Sequence, residues 1–248
     1  MLDAGIGLPW FGVHTQMSVT DSATIHQLLW RVQPDLLIEI GTMCGGSAIF
    51  YARTMQSYNP RARVLTYDTN SNVAYRLKRC RAFHRHSEHD TRHNRTAFGL
   101  EHPSWSQLQA SGNLQPIIGS ALDSTLHEKL VEEARKARAV VVVDDGAHVK
   151  DVNVRHWHAL SPLVTMDSYY IVQDTRLDSD CAYATLIGKG SWCKEVRLKG
   201  GPALAVAAIV GNASFRDEWM QDRSVEEWGV TQHPGGYLRR TQVRSAPT

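Results

Sequence analysis

The sequence predicts one α/β domain built on a doubly wound, mostly parallel sheet. Two observations carry this. Short runs that are apolar throughout and end in Gly or Asp alternate with amphipathic stretches of helical period. The 248 residues amount to between one and two typical domains, and a chain of this size buries about 70% of its extended surface without a metal or disulfide staple.

Residues 1–20 show no clear period and carry Pro9, Trp10, Phe11 and Gly12, so they are expected to form an arm that docks on the domain of residues 21–248. Asp21 is placed to cap a helix whose Ile25, Leu28, Leu29 and Val32 share one face, and Pro34 ends it. Residues 36–40 predict the first strand, 47–58 a helix, and 64–67 a second strand ending at Asp68. Ile117 and Ile118 belong to a third strand before Gly119. Residues 126–138 predict a helix, 139–143 a fourth strand ending at Asp144-Asp145, 152–164 a helix, and 169–172 a fifth strand ending at Asp174. Residues 193–198 and 203–210 flank Lys199-Gly200-Gly201-Pro202, which signals an antiparallel hairpin on the sheet edge. A parallel sheet finished in this way points to Rossmann-like class I methyltransferase architecture more than to a dinucleotide dehydrogenase.

About forty residues separate the second and third strands, where a crossover needs only a dozen or so. An insertion is therefore expected at 76–116. It holds Arg76, Lys78, Arg79, Arg81, Arg85, Arg92 and Arg95 together with His84, His86, His89, His93 and His102. Over the whole chain 27 basic residues face 25 acidic ones, too little excess for a general grip on nucleic acid. Cys44, Cys80, Cys181 and Cys193 form no CxxC pair and no zinc spacing, so reduced thiols and a cytoplasmic location are expected. Neither a signal peptide nor an apolar run of membrane-spanning length is seen.

Glu39-Ile40-Gly41-Thr42-Met43-Cys44-Gly45-Gly46-Ser47 joins the first strand to its helix. Glycines here let backbone amides approach a ligand at a helix N-terminus, where negative charge is favoured. Met43 stands where a dinucleotide fingerprint needs its second Gly, and Ser47 where a P-loop needs Lys. A carboxylate-bearing nucleoside such as S-adenosylmethionine remains, with Asp68 placed to accept its ribose hydroxyls and Gly119-Ser120 to bound its adenine.

Asp144, Asp145 and Asp174 end strands on the same sheet edge. Converging acids repel unless a cation lies between them, and Asp145, Asp174 and the amide oxygen of Gln173 suit a hard divalent ion such as Mg²⁺. His148 follows Asp145 by three residues and is placed to take a proton from an acceptor hydroxyl. His86-Ser87-Glu88 matches an oxygenase HxE but is expected about once by chance, and His156 and His158 point to different helix faces.

Several segments together resemble the cephalosporin hydroxylase and rhamnosyl O-methyltransferase family, close to macrocin-type sugar O-methyltransferases. They are Trp10-Phe11-Gly12 with Gln16 and Asp21, residues 33–41 through Gly45-Gly46-Ser47-Ala48, and Asp144-Asp145-Gly146-Ala147-His148. Residues 160–164, residues 168–175 and Gly236-Tyr237-Leu238-Arg239-Arg240 complete the match. The resemblance implies S-adenosylmethionine at the glycine loop and at Asp68, with Asp144 on the cofactor side, a divalent metal at Asp145 and Asp174, and His148 as general base. Gln173 departs from the family, which usually has Glu before the second metal Asp. The expected acceptor is a sugar or polyketide hydroxyl, and self-association into a homo-oligomer is compatible with the fold. Two other classes fit the same residues: a non-catalytic S-adenosylmethionine-binding partner, and an RNA methyltransferase that uses the basic insertion.

Overall fold

The structure is a computed structural model and describes residues 9–84, 97–186, 193–227 and 229–241. In chain order the elements are β1 (Pro9–Trp10), β2 (Val13–His14), α1 (Val19–Val32), β3 (Leu36–Ile40), α2 (Gly46–Gln56), β4 (Arg63–Asp68), α3 (Val73–His84) and β5 (Ala97–Phe98). There follow α4 (Pro103–Ala110), β6 (Leu114–Ile118), α5 (Ser124–Arg135), β7 (Val140–Asp144), α6 (Lys150–Leu160) and β8 (Tyr169–Val172). Helices α7 (Leu177–Leu186), α8 (Lys194–Lys199), α9 (Pro202–Val210) and α10 (Phe215–Glu218) precede β9 (Trp219–Gln221) and β10 (Tyr237–Arg240).

Seven strands form the main sheet in the order β6-β4-β3-β7-β8-β10-β9. Strands β3, β4, β6, β7 and β8 pair in parallel. Only β10 is reversed, because it pairs antiparallel with both β8 and β9.

Alternation along each strand sends neighbouring residues to opposite faces. Leu37, Val141, Val143, Tyr169 and Ile171 join the core under α1, α2 and α4, with Ile25, Leu28, Phe50 and Leu108. Leu36, Ile38, Val140, Val142, Tyr170 and Val172 join the core under α5, α6 and α9, with Leu130, Trp157 and Val206. Both faces are covered at the centre of the sheet, so residues 140–143 of β7 and the whole of β8 are apolar and buried.

Four expectations are corrected. The 193–210 hairpin does not exist, because both halves are helical and Pro202 stands in the first turn of the Ala-rich α9, where its missing N–H costs nothing. The antiparallel edge is made instead by β9 and β10. Ser18 caps α1, since its hydroxyl accepts the Asp21 N–H, while Asp21 is buried and accepts from Thr231 and the Gln232 N–H. The insertion is smaller than 76–116: α3 begins at Val73, and α4 is the crossover helix that packs on α2 and leads into β6.

The cysteines are paired, Cys44 with Cys80 and Cys181 with Cys193, against the expectation of reduced thiols. Three-dimensional proximity across 36 residues is invisible to a spacing rule. The first bridge ties the loop after β3 to α3. Near the start of the described residues β2 pairs with β5, and Trp10 packs on Phe50 at 5.2 Å between ring centroids. No helix among the described residues is long and apolar enough to cross a membrane.

A bridge closing a 36-residue separation restricts the unfolded chain by about 3–4 kcal/mol in the chain-entropy account. The Cys44→Ser, Cys80→Ser double variant is expected to lose stability of that order in urea unfolding. A midpoint equal to the parent's would show that the bridge carries no such constraint.

Candidate active site

Strand order reverses between β3 and β7, and in open α/β sheets this opens a crevice at the carboxyl ends of the strands. Gly41 begins the turn after β3 with φ +103°, and a Cβ there would stand 2.1 Å from the Asp145 carbonyl oxygen. Only glycine lets this turn lie against the end of β7.

Beneath the turn Glu39 is buried and accepts the Ser47 and Thr66 hydroxyls, one on each oxygen. The Thr66 and Thr42 hydroxyls lie 2.6 Å apart. Burial pushes the Glu39 carboxyl up to about 7 even though the Ser47 and Thr66 hydroxyls and the Arg76 charge oppose the rise; the Asp68 charge adds to it. Glu39 and Ser47 thus brace the turn from below.

Most of the turn's amides are already bonded within the protein. The N–H groups of Gly41 and Thr42 donate to the Tyr67 carbonyl at 2.8 and 3.1 Å, that of Met43 to Asp68 Oδ2 at 2.9 Å, and that of Gly45 to the Thr42 carbonyl at 2.7 Å. A Cβ on Gly46 would fall 2.0 Å from the His14 carbonyl, and one on Gly45 would meet the Trp105 ring. The absence of a side chain at Gly45 and Gly46 therefore makes room for α4 and for the segment of His14.

Asp68 ends β4 beside the turn. Its Oδ1 accepts the Asn70 N–H, and its Oδ2 lies 3.3 Å from Arg76 Nε. Arg76 Nε also donates to the Met43 carbonyl at 2.9 Å, while its Nη2 is buried without a hydrogen-bond partner. An unsatisfied guanidinium donor next to a carboxylate acceptor fits a ligand carrying both hydroxyls and a carboxylate. Arg76 was visible in the sequence only as part of a basic run. Gly119 has φ +140° and packs on Leu126, and the Ser120 hydroxyl accepts the Leu122 N–H, so this pair builds the turn into α5.

Asp144 is buried and accepts from Asn153 Nδ2, His156 Nδ1 and the Tyr170 hydroxyl at 3.0–3.2 Å. Alternation in β7 turns it toward α6, so its carboxylate, expected on the cofactor side, is bonded to that helix and to Tyr170. Asp145 faces the other way. Asp145, His148 and Asp174 each offer a ligand atom, and these atoms all lie within 4.8 Å of one another, the one such acid and histidine trio among the described residues. His148 Nε2 is 3.6 Å from Asp174 Oδ2 and 3.9 Å from Asp145 Oδ1. His148 and Asp174 both have positive φ, +47° and +56°, a conformation costly for non-glycine residues and concentrated at functional sites. Desolvation raises the Asp145 carboxyl well above the ordinary range, and the charges of Asp174, Glu39 and Asp144 push it further. Gln173 is buried on the α2 side of the sheet, and its amide donates to the Tyr51 hydroxyl at 3.1 Å. The structure thus brings His148 to the two aspartates and bonds Gln173 through its Nε2 to Tyr51.

Of the basic run, Arg76 is buried against Asp68 and Arg81 pairs with Glu101. His102 caps α4 through the Ser104 N–H. The residues 85–96, including His86-Ser87-Glu88, lie outside the described residues.

A parallel sheet closed by one reversed strand, with a glycine turn after β3 and an acid ending β4, defines a Rossmann-type methyltransferase fold. The family model described as Rhamnosyl O-methyltransferase/CmcI matches residues 6–90 and 85–241. The chain belongs to this family. The rhamnosyl O-methyltransferase of Mycobacterium tuberculosis is 24% identical over 232 residues, which cover 93% of this chain and 77% of that protein. Its namesake from Mycobacterium leprae is 24% identical over 169 residues, 68% and 61% of the two chains. Among solved structures, an apo form of CmcI and CmcI with Mg and SAM each cover 95% of this chain and 77% of CmcI at 19% identity, with TM-scores of 0.58 and 0.57. These last two comparisons establish a common fold.

Glu39 yields a pH prediction. Its folded pKa of about 7 exceeds the ordinary 4.5, so the native state holds this proton more tightly than the unfolded chain. The resulting stabilisation is complete below about pH 4.5 and is lost as pH rises through about 7. Glu39→Gln keeps the packing and removes the titration. Between pH 5 and pH 8 the variant is expected to gain about 1–3 kcal/mol relative to the parent in urea unfolding. Parallel stability curves would contradict the assignment.

Proposed function

We propose that the chain is an S-adenosylmethionine-dependent O-methyltransferase, assisted by a divalent cation such as Mg²⁺, that methylates a hydroxyl of a small glycosylated or polyketide-like molecule. The observation that carries this reading is the convergence of Asp145, His148 and Asp174 on the edge that also holds the glycine turn and Asp68. The name of the mycobacterial relatives supports a sugar hydroxyl as acceptor.

Two carboxylates fit a hard divalent cation by donor type, and their mutual repulsion is what such an ion would relieve. When bound, the ion would lower the pKa of an acceptor hydroxyl, and the cofactor would supply an electrophilic methyl group. Asp145 and Asp174 would hold the ion. His148, about one-third exposed, accepts the hydroxyl proton on Nε2. Asp68 takes the ribose hydroxyls, and Arg76, whose Nη2 has no partner within the protein, offers a donor for the cofactor's remaining oxygens. Rate then comes mainly from alignment and fixed charge.

Two substitutions test the two halves of the site. Asp68→Ala is expected to weaken binding of S-adenosylhomocysteine at least tenfold in calorimetry, and unchanged affinity would remove Asp68 from the cofactor site. Asp145→Asn is expected to abolish Mg²⁺ stimulation of methyl transfer with the far-ultraviolet circular dichroism intact. Full activity in that variant, or in excess chelator, would instead mean proton abstraction by His148 without a metal.

A further inference from the structure

His233 is 1% exposed and lies in the loop before β10, on no element that the sequence marks as functional. Its Nδ1 accepts the backbone N–H of Asp174 at 2.8 Å. An accepting Nδ1 leaves the ring proton on Nε2, which is buried with no hydrogen-bond partner, 4.0 Å from Asp21 Oδ2. Asp21 is itself fully buried and accepts the Thr231 hydroxyl and the Gln232 N–H on either side of it. The same loop holds the next residues too, since the Thr175 hydroxyl donates to the Pro234 carbonyl and the Arg176 N–H to the Gln232 carbonyl.

Asp174 has φ +56°. A non-glycine residue in that region is strained and persists only where its surroundings over-determine it. Its amide would be left unsatisfied at the end of β8 without an acceptor from another segment, and His233 Nδ1 is that acceptor. We propose that His233 is a positioning residue, held by the loop anchored on Asp21, that fixes the left-handed backbone of Asp174 so that its carboxylate faces Asp145 and His148. This rests on the reading of Asp145 and Asp174 as the pair that holds a divalent cation beside His148.

The probe is Mn²⁺, titrated by electron paramagnetic resonance into the full chain, with affinity for S-adenosylhomocysteine measured in parallel. His233→Phe keeps a ring and removes the acceptor; His233→Asn restores an acceptor near the place of Nδ1. His233→Phe is expected to lose at least tenfold in Mn²⁺ affinity with S-adenosylhomocysteine affinity within twofold of the parent, and His233→Asn to stay within about threefold for both. His233→Ala, which forces no overlap, replaces the Phe variant if that chain does not fold. Hydrogen exchange in the peptide spanning residues 173–177 is expected to quicken in the Phe or Ala variant and to recover in Asn. Wild-type Mn²⁺ affinity in Phe or Ala, or equal loss in Asn, would overturn the role of His233. Absence of Mn²⁺ binding by the parent would sink the cation reading itself, and hydrogen exchange alone would then decide whether His233 fixes Asp174.

Discussion

The site depends on one backbone contact, the close approach of Gly41 to the Asp145 carbonyl. It lies where strand order reverses, so it joins the turn that follows β3 to the acids that follow β7. The Asp145 N–H donates to the Ile40 carbonyl at 2.9 Å and extends the β3–β7 pairing to this point. Any side chain at Gly41 would push the glycine turn away from the end of β7 and its carboxylates. Because the turn and the carboxylates are carried on central, doubly covered strands, their separation is set by the sheet and not by loop flexibility.

Electrostatics and alternation then divide the labour among the acids. Glu39, Asp144 and Asp174 stand close enough for their charges to add to the burial that raises the Asp145 carboxyl, yet Glu39, Asp144 and Asp145 each have a different set of partners. Glu39 is satisfied by hydroxyls under the turn, and Asp144 by Asn153, His156 and Tyr170 under α6. Only Asp145 and Asp174 meet at a partly open edge with a histidine between them. Asp145 is thereby left with the least compensation for its charge.

Much of this was legible in the sequence because period-two burial and strand-terminal Gly or Asp are local signals. They located β3, β4, β7 and β8 nearly to the residue and brought Asp68, Asp145, His148 and Asp174 to one edge. What failed was non-local. Ala203 to Val210 is apolar enough for a strand, and only its Ala content and Pro202 argue for the helix that tertiary packing selects. The close packing that requires glycine at 45 and 46 is against Trp105 and His14, which are remote in sequence. His233, Arg76 and the Cys44–Cys80 bridge act across long sequence separations and leave no spacing to read.

The central claim is that the glycine turn and the Asp145, His148 and Asp174 cluster form one site. It is tested most directly by a crystal structure of the protein grown with S-adenosylhomocysteine and Mn²⁺, with the ion located by anomalous scattering. The account predicts the nucleoside against Asp68 and the Mn²⁺ peak between Asp145 and Asp174 in the same crevice. An ion bound elsewhere, or a nucleoside that does not touch Asp68, would contradict it.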